Sequence, residues 1–138
     1  MKDIIIRAAT ESDFKFVQKL QIDANLIDIC TNSVESIECL KEYSEKGIFL
    51  IAEKQNVIIG FILGQLLLTK GSLLMYWVVA PEYRNKGIGT ILLKRFKTIA
   101  KTMGAEWILS NVVDRGIMYH KRNNAVIGKK YTEILYNL

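Results

Sequence analysis

The sequence predicts an α/β fold in which helices pack on a mixed β-sheet. Half of the 138 residues are hydrophobic, which is enough for a packed core. Short apolar runs alternate with segments of helical periodicity in the order β-α-α-β-β-β-α-β-α-β, and this order is typical of a layered fold. The length fits one domain over residues 1–138.

The N-terminal part predicts a strand followed by two helices. Ile4–Ile6 is a short run of β-branched residues and forms the first strand. Thr10–Asp13 supplies an N-cap and a first-turn carboxylate for a helix that runs to about Asp28. A second helix starts at Ser33, and Gly47 ends it. The apolar faces at helical spacing are Phe14, Val17, Leu20 and Ala24 in the first helix, and Val34, Ile37, Leu40 and Tyr43 in the second.

The middle of the chain predicts three strands. Ile48–Ala52 and Val57–Leu68 are apolar runs joined by the polar turn Lys54–Asn56, which is typical of an antiparallel hairpin. Leu73–Val79 is a third apolar run, continuous enough for a central strand.

The C-terminal part predicts a long helix, a strand, a short helix and a last strand. The long helix follows the loop Pro81–Gly89 and ends near Gly104, a glycine in the position of a C-cap. Trp107–Val112 forms a strand, Asp114–Lys121 a short helix and Tyr131–Tyr136 the last strand. The predicted buried stripe of the long helix is Leu92, Phe96, Ile99 and Met103.

The charge is divided unevenly between two parts of the chain. The formal net charge is +5, but residues 1–53 hold ten acids and six bases, a net charge of −4. Residues 54–138 hold thirteen bases and four acids, a net charge of +9. A basic part favours a polyanionic ligand, whereas an acidic part attracts a cationic one.

Several classes of protein are excluded or disfavoured. The longest uncharged apolar stretch, Val57–Thr69, is too short to span a bilayer. Met1–Asp3 and the isoleucines after it lack the apolar region and cleavage site of a secretory signal. Cys30 and Cys39 are too few for a disulfide framework or a zinc site. We therefore expect a cytoplasmic domain without a metal.

The stretch Tyr76–Thr90 carries the clearest chemical signal. It predicts a strand, a turn, and a loop with Gly87 and Gly89 that runs directly into a helix. The first amides of a helix lack internal partners, and glycines let a phosphate approach the backbone. Arg84 and Lys86 add positive charge. The pattern is neither a Walker loop nor a dinucleotide fingerprint, which need other glycine spacings.

The string Arg84-Asn85-Lys86-Gly87-Ile88-Gly89, preceded by Pro81-Glu82-Tyr83, resembles the acyl-CoA loop of the GNAT N-acetyltransferase superfamily. Ile6–Thr10 with Asp13 looks like the first strand and helix entry of that family, and Ile48–Gly64 looks like its central hairpin. The resemblance implies a mixed, mostly antiparallel sheet with helices on both faces. It also implies a V-shaped cleft between the fourth and fifth strands.

The resemblance further implies an acetyl-CoA site and a reaction. An acceptor amine would attack the thioester directly, without a covalent enzyme intermediate. The pantetheine arm would pair with the backbone of Trp77, Val78 and Val79. The asparagine that contacts pantetheine in this family has no clean match here: Asp114 falls near its place, and Asn111 is the nearest asparagine. The loop residues implied for the pyrophosphate are Arg84, Asn85, Lys86, Gly87, Ile88, Gly89 and Thr90.

The resemblance also implies a general acid, Tyr119, in the segment Met118–Asn124. A phenol stays protonated at neutral pH and can protonate the departing thiolate. Asn123-Asn124 replaces the Gly-Phe of the family pattern, and Leu73–Val79 lacks the strand glutamate that often acts as the base. Deprotonation through water, Glu53 or Asp28 stays open. His120, the only histidine, could also serve as a base, but a surface role is favoured because it points away from Tyr119 on a helix.

The leading interpretation is an acetyl-CoA-dependent N-acetyltransferase whose acceptor is a cationic amine, attracted by acids such as Glu35 and Glu38. The alternative is an inactive acyl-CoA-binding sensor or regulatory module. A nucleic-acid-binding domain is disfavoured, because the helix that carries Lys94, Arg95 and Lys97 lacks interleaved aromatic residues. No membrane partner is expected, and the sequence is compatible with a homodimer.

Overall fold

The computed structural model describes residues 3–26, 33–112 and 116–130, together with residues 132, 134, 136 and 138. Within these residues, five strands form one sheet in the order β1-β2-β3-β4-β5. The strands are β1 (Ile4–Ala8), β2 (Ile48–Lys54), β3 (Val57–Leu66), β4 (Gly71–Val79) and β5 (Trp107–Ser110). Neighbouring strands are antiparallel except β4 and β5, which run parallel. The prediction of a mixed, mostly antiparallel sheet is therefore confirmed.

Helices pack on both faces of this sheet. The described helices are α1 (Phe14–Asp23), α2 (Ile37–Lys46), α3 (Ile88–Thr102) and α4 (Ile117–Arg122). The helices α1 and α2 contribute Phe14, Val17 and Leu40 to one buried cluster, and α3 contributes Leu92 and Phe96 to the other. Neighbouring residues of β2 alternate between the two clusters, as expected for a strand covered on both faces.

The first two helices differ from their predicted bounds. The helix α1 ends at Asp23 instead of near Asp28, because the chain turns after it and Asn25 adopts a positive φ of 55°. The helix α2 begins at Ile37 and not at Ser33. Ser36 is the N-cap of α2, and its hydroxyl accepts a hydrogen bond of 3.1 Å from the Cys39 amide.

The C-terminal elements also differ from their predicted bounds. Met103 was expected in the buried stripe of α3 but is 45% exposed, because it follows the last helical residue. The strand β5 ends at Ser110 and not at Val112, and α4 begins at Ile117. Asp114 lies outside the described residues, as do alternate residues of the predicted strand Tyr131–Tyr136.

The pairing of β4 with β5 covers only the first part of β4. Gly71–Leu74 pairs with Trp107–Ser110, and no described pairing continues beyond it. At the same level β4 carries a bulge, because Leu63 pairs with Tyr76 while Gly64 pairs with Leu74, which leaves Met75 as the extra residue. A bulge bends its strand and increases the local twist. The second half of β4 is therefore free to diverge from β5.

An ion-pair network joins β1, β2 and the entry to α1. The Arg7 guanidinium donates to both carboxylate oxygens of Asp13, at 2.7 and 2.8 Å, and its Nε donates to Glu53 at 3.1 Å. The Thr10 amide also donates to the Asp13 carboxylate at 2.7 Å. Asp13 is only 4% exposed, so its charge depends on these partners. The hydrogen bonds from Arg7 are the main reason that the pKa of Asp13 is lowered.

We predict that Asp13→Asn lowers the free energy of unfolding at neutral pH by about 1–3 kcal/mol, because the variant loses a charge-assisted pair of hydrogen bonds. A carboxyl group whose pKa is lowered by folding stabilises the folded state fully at pH values above its unfolded pKa, about 3.9. This stabilisation is lost as the pH falls below that value. Urea unfolding between pH 7 and pH 3 measures both effects. The wild type should lose more stability with acid than Asp13→Asn, and equal losses would contradict the assignment.

Candidate functional site

The second half of β4 has one edge that no described strand covers. The Ala80 amide donates to the Ile59 carbonyl at 2.8 Å, so Ala80 directs its backbone groups toward β3. In an antiparallel pair these directions alternate along the strand. Val78 therefore also faces β3, whereas Trp77 and Val79 direct their backbone groups toward the side of β5. Of the three residues expected to pair with the pantetheine arm, Trp77 and Val79 therefore have backbone groups at the open edge, and Val78 does not.

A loop connects this edge to the N-terminus of α3. The short 3-10 turn Pro81–Tyr83 follows β4, and the Arg84 Nε then donates back to the Val79 carbonyl at 2.8 Å. Arg84 is half-buried in this position, so its side chain fixes the loop against the strand end. Asn85 and Gly87 adopt positive φ values of 61° and 83°. These two left-handed positions turn the backbone sharply into the helix, and glycine takes this conformation without strain.

The first turn of α3 has backbone amides that donate no hydrogen bond to a carbonyl within the helix. The Ile91 amide donates to the Gly87 carbonyl at 3.1 Å, so the amides of Ile88, Gly89 and Thr90 precede the first helical hydrogen bond. The helix dipole adds partial positive charge at the same place. This arrangement suits an anion such as a phosphate group.

Lys86 is exposed beside the same loop. Its Nζ lies 5.6 Å from the centre of the Tyr83 ring, within reach of a cation–π contact. Lys86 also lines a cavity of about 210 Å³ with Ile4, Lys54, Tyr83 and Ile88. The described loop region therefore carries positive charge at its solvent side.

The indole of Trp77 links three elements. Its Nε1 donates to the Gly89 carbonyl in the first turn of α3 at 2.9 Å. Its ring also meets two rings of α4, Tyr119 at 6.4 Å and His120 at 5.1 Å between centroids, both edge to face. One side chain of β4 therefore contacts both α3 and α4. The structure brings together the strand edge, the loop and the predicted general acid.

Tyr119 lies on α4, against the indole of Trp77. Its side chain is 43% exposed, and the Arg122 guanidinium lies 6.0 Å from its ring centre. The Asn123 side-chain amide donates to the Tyr119 carbonyl at 2.9 Å, and Asn124 has a positive φ of 65°. Asparagine tolerates this conformation better than most residues. The pair Asn123-Asn124 therefore ends α4 without the glycine of the family pattern.

The expectation for His120 is wrong. Its ring is half-buried against Trp77 instead of pointing away from Tyr119 into solvent. Neighbouring helical residues point in different directions, but the two-ring indole is broad enough for both side chains to reach it. Burial lowers the pKa of His120 below the usual value for histidine. The imidazole is therefore neutral at neutral pH.

No described hydrogen bond brings the other predicted residues to Trp77 or to the loop before α3. Asn111 directly follows β5 and is exposed. The Glu53 carboxylate is held by Arg7 in the ion-pair network, so it is a poor candidate for the base. Asp28 lies outside the described residues.

On the opposite face of β4 lies a polar contact that the sequence did not predict. The Tyr76 hydroxyl donates to Glu35 Oε1 at 3.0 Å, and the Gln18 side-chain amide donates to the Glu35 carbonyl at 2.9 Å. The residue next in the strand, Trp77, faces the other way. The alternation of side chains along β4 was enough to predict that Tyr76 faces the acidic helices. Its contact with Glu35 could not be predicted, because the two residues are far apart in sequence.

The described residues contain no group of three or more His, Cys, Asp or Glu side chains that could hold a metal ion. None of the described helices is long and apolar enough to cross a membrane.

The model of the acetyltransferase (GNAT) family matches residues 15–122 of the chain. No curated protein matches the sequence significantly. An aminoglycoside acetyltransferase from an uncultured soil metagenomic sample, in complex with sisomicin, is a similar solved structure. It has 17% identity and a TM-score of 0.76, with 99% of this chain and 97% of that chain covered.

Two further solved structures have similar folds. The PaiA N-acetyltransferase from Thermoplasma acidophilum, in complex with coenzyme A, has 22% identity and a TM-score of 0.70, with 87% of each chain covered. An acetyltransferase from Trypanosoma brucei has 16% identity and a TM-score of 0.72, with 97% of this chain and 100% of that chain covered. At these identities the structures establish the fold alone, and they confirm the fold that the sequence predicts.

Proposed function

The chain belongs to the acetyltransferase (GNAT) family, and we propose that it is an acetyl-CoA-dependent N-acetyltransferase for a cationic primary amine. The observation that carries the proposal is the open edge of β4 beside the unpartnered amides of α3, with α4 packed against the indole of Trp77. An extended, anionic cosubstrate such as acetyl-CoA fits this combination. The proposal treats residues 1–138 as one such unit.

The residues of the cleft suit different parts of the cosubstrate. The amides of Ile88, Gly89 and Thr90 suit a pyrophosphate group, and Lys86 adds charge at the solvent side of the loop. The open edge at Trp77 suits an amide-containing arm that pairs as an extra strand. Bound acetyl-CoA supplies the thioester, whose carbonyl carbon accepts the amine.

The chain itself would orient the reactants, stabilise charge and move a proton. An amide of Trp77 on the open edge is available to donate to the oxygen that becomes negative during attack. The Tyr119 hydroxyl would give its proton to the departing thiolate. Because Trp77 supplies this amide and its indole contacts the Tyr119 ring, a shift of Trp77 would affect both groups.

The acceptor side lies on the face of β4 that carries Tyr76. Glu35 is held there by Tyr76 and Gln18, and residues 1–53 carry a net charge of −4. A fixed carboxylate in an acidic surrounding attracts a protonated amine. Structures of similar fold include an aminoglycoside acetyltransferase in complex with sisomicin, which agrees with a cationic acceptor.

The alternative function is an acyl-CoA-binding sensor or regulatory module without turnover. Its support is the absence of a carboxylate in Leu73–Val79 and the replacement of Gly-Phe by Asn123-Asn124. Both functions require binding of the cosubstrate, so only turnover separates them.

We predict that the wild type releases free CoA from acetyl-CoA in the presence of at least one amine from a panel of polyamines, amino sugars, lysine and peptide N-termini. Tyr119→Phe keeps the ring against Trp77 but loses the phenolic proton, so its kcat should fall about 10²- to 10⁴-fold. A thiol assay measures turnover, and calorimetry should show the same affinity for acetyl-CoA in both proteins. Binding without turnover in the wild type would instead support the sensor.

We predict that Glu35→Gln raises the acceptor KM about tenfold at low salt, because it removes a fixed negative charge while keeping an oxygen for the Tyr76 hydroxyl. Glu38→Gln is the matched control, since Glu38 is exposed in the first turn of α2 and has no described contact with Tyr76. Steady-state kinetics at two salt concentrations test the prediction. Equal KM values for the wild type and Glu35→Gln would rule out this carboxylate as an acceptor site.

A further inference from the structure

We propose that Lys54 and Lys86 form a subsite for a phosphate monoester, and that its occupant is the phosphate on the ribose of CoA. This inference rests on the proposed N-acetyltransferase function, because it concerns the cosubstrate of that reaction. It adds to the site a residue of β2, a strand that no other part of the proposed cosubstrate contacts.

The subsite is the cavity of about 210 Å³ beside the loop that precedes α3. Its lining side chains are Ile4, Lys54, Tyr83, Lys86 and Ile88. Three of them are apolar or aromatic and the other two carry ammonium groups, so the cavity offers positive charge between apolar walls. A space of this size holds several water molecules, which a phosphate group can replace.

Strand pairing brings Lys54 to the end of the sheet where this loop begins. Lys54 is the last residue of β2 and pairs with Ile4 in β1 and with Val57 in β3. Gly60, also in the first part of β3, pairs with Val79, the last residue of β4. The C-terminal ends of β2 and β4 therefore lie at the same end of the sheet, and the loop to α3 starts there.

The alternation of side chains along β2 assigns Lys54 to the face of the sheet that α3 covers. Leu50 and Ala52 belong to the buried cluster under α3, and Lys54 follows them at the same spacing of two. Ile88 is part of this cluster, and Trp77 packs against it. The cavity and the Trp77 indole therefore share one face of the sheet, opposite to the face of the proposed acceptor site.

The two ammonium groups have no carboxylate partner among the described residues. Lys54 is half-buried, and its neighbour Glu53 is held by Arg7. The acids that flank the lining residues, Asp3 before β1 and Glu82 in the loop, are exposed and form no described ion pair with either lysine. A cation that is partly withdrawn from water without a counter-ion is stabilised when an anion binds beside it.

The order of groups along CoA indicates which phosphate reaches this cavity. The free amides that begin with Ile88 suit the pyrophosphate, which lies in the middle of the cosubstrate, and the Ile88 side chain lines the cavity. The pantetheine arm would leave the pyrophosphate toward Trp77 on β4. The ribose then leaves on another side, and β2 lies across β3 from β4. A ribose phosphate that extends away from the arm meets Lys54 and Lys86.

A phosphate monoester matches two ammonium groups in charge and in hydrogen bonding. It carries a charge of about −1.5 to −2 at pH 7 and has three acceptor oxygens. Lysine binds phosphate as a point charge on a flexible stem, so two lysines can adjust around one group. The Lys86 Nζ lies 5.6 Å from the centre of the Tyr83 ring, which also lines the cavity.

Calorimetry with CoA and with dephospho-CoA, which lacks this phosphate, tests the proposal without turnover. The wild type should bind CoA about tenfold more tightly, because the contacts to the phosphate are charge-assisted. Lys54→Gln should weaken binding of CoA about tenfold and leave the affinity for dephospho-CoA unchanged. An equal loss for both ligands would overturn the proposal, because Lys54 would then act on the rest of the cosubstrate or on the fold.

Two further variants serve as controls. Lys97→Gln removes the same charge from an exposed position of α3 and should keep the wild-type affinity for both ligands. Lys54→Arg keeps the positive charge and should keep most of the preference for CoA over dephospho-CoA. A loss in Lys97→Gln as large as that in Lys54→Gln would assign the effect to net charge and overturn the proposal.

A free phosphate ion offers the same chemistry, and inorganic phosphate distinguishes the two sources. Binding of inorganic phosphate that Lys54→Gln abolishes, together with equal wild-type affinities for CoA and dephospho-CoA, would assign the cavity to a free anion and overturn the inference. Absence of any binding of CoA and acetyl-CoA by the wild type would overturn the proposed function itself. Equal binding of CoA and dephospho-CoA would overturn this inference alone.

Discussion

The end of the pairing between β4 and β5 is the constraint on which the candidate site depends. These parallel strands pair only from Gly71 to Leu74, and a bulge at Met75 follows at once. Among the described residues, no strand then lies beside the backbone groups of Trp77 and Val79. An unpaired edge inside a fold is costly unless something uses its hydrogen bonds, and Arg84 uses one of them at the Val79 carbonyl. The remaining edge is a ready partner for an extended ligand.

Trp77 connects this edge to α3 and α4. Its hydrogen bond to Gly89 contributes on the order of 1 kcal/mol, and each ring contact with α4 adds about 0.5–1.5 kcal/mol. The helix α4 has 6 residues, which is too few to be stable alone in water. Its orientation therefore depends on packing, and Tyr119 and His120 owe their positions largely to one indole. The proposed acid is held by the strand to which the cosubstrate is expected to bind.

The two faces of β4 give the site two different environments. Trp77 faces the basic loop and α4, and Tyr76 faces α1, α2 and the acidic N-terminal part. Because strand side chains alternate, this strand would separate the proposed anionic cosubstrate from the proposed cationic acceptor. The acidic N-terminal part and the basic loop of the sequence therefore lie on opposite faces of β4.

The sequence predicted the periodic features well and the long-range contacts poorly. The strands and the loop before α3 follow from local patterns, since apolar spacing and glycines act within a few residues. The start of α2 was misplaced because Ser33 and Ser36 are both good caps, and only the hydrogen bond to Cys39 decides between them. The burial of His120 was missed because it depends on a tryptophan 43 positions earlier in the numbering. The helical periodicity around His120 carries no information about the position of that indole.

The most direct test of the central claim, that acyl-CoA binds between β4 and α4, uses the fluorescence of Trp77. The chain has 2 tryptophans, and Trp107→Phe leaves Trp77 as the only indole. Titration of this variant with acetyl-CoA should give a saturable change in emission. The same titration with Gly87→Asp added should give none, because a carboxylate at the loop repels the phosphates. A saturable change that persists in Gly87→Asp, or calorimetric binding without any change at Trp77, would contradict this account of the site.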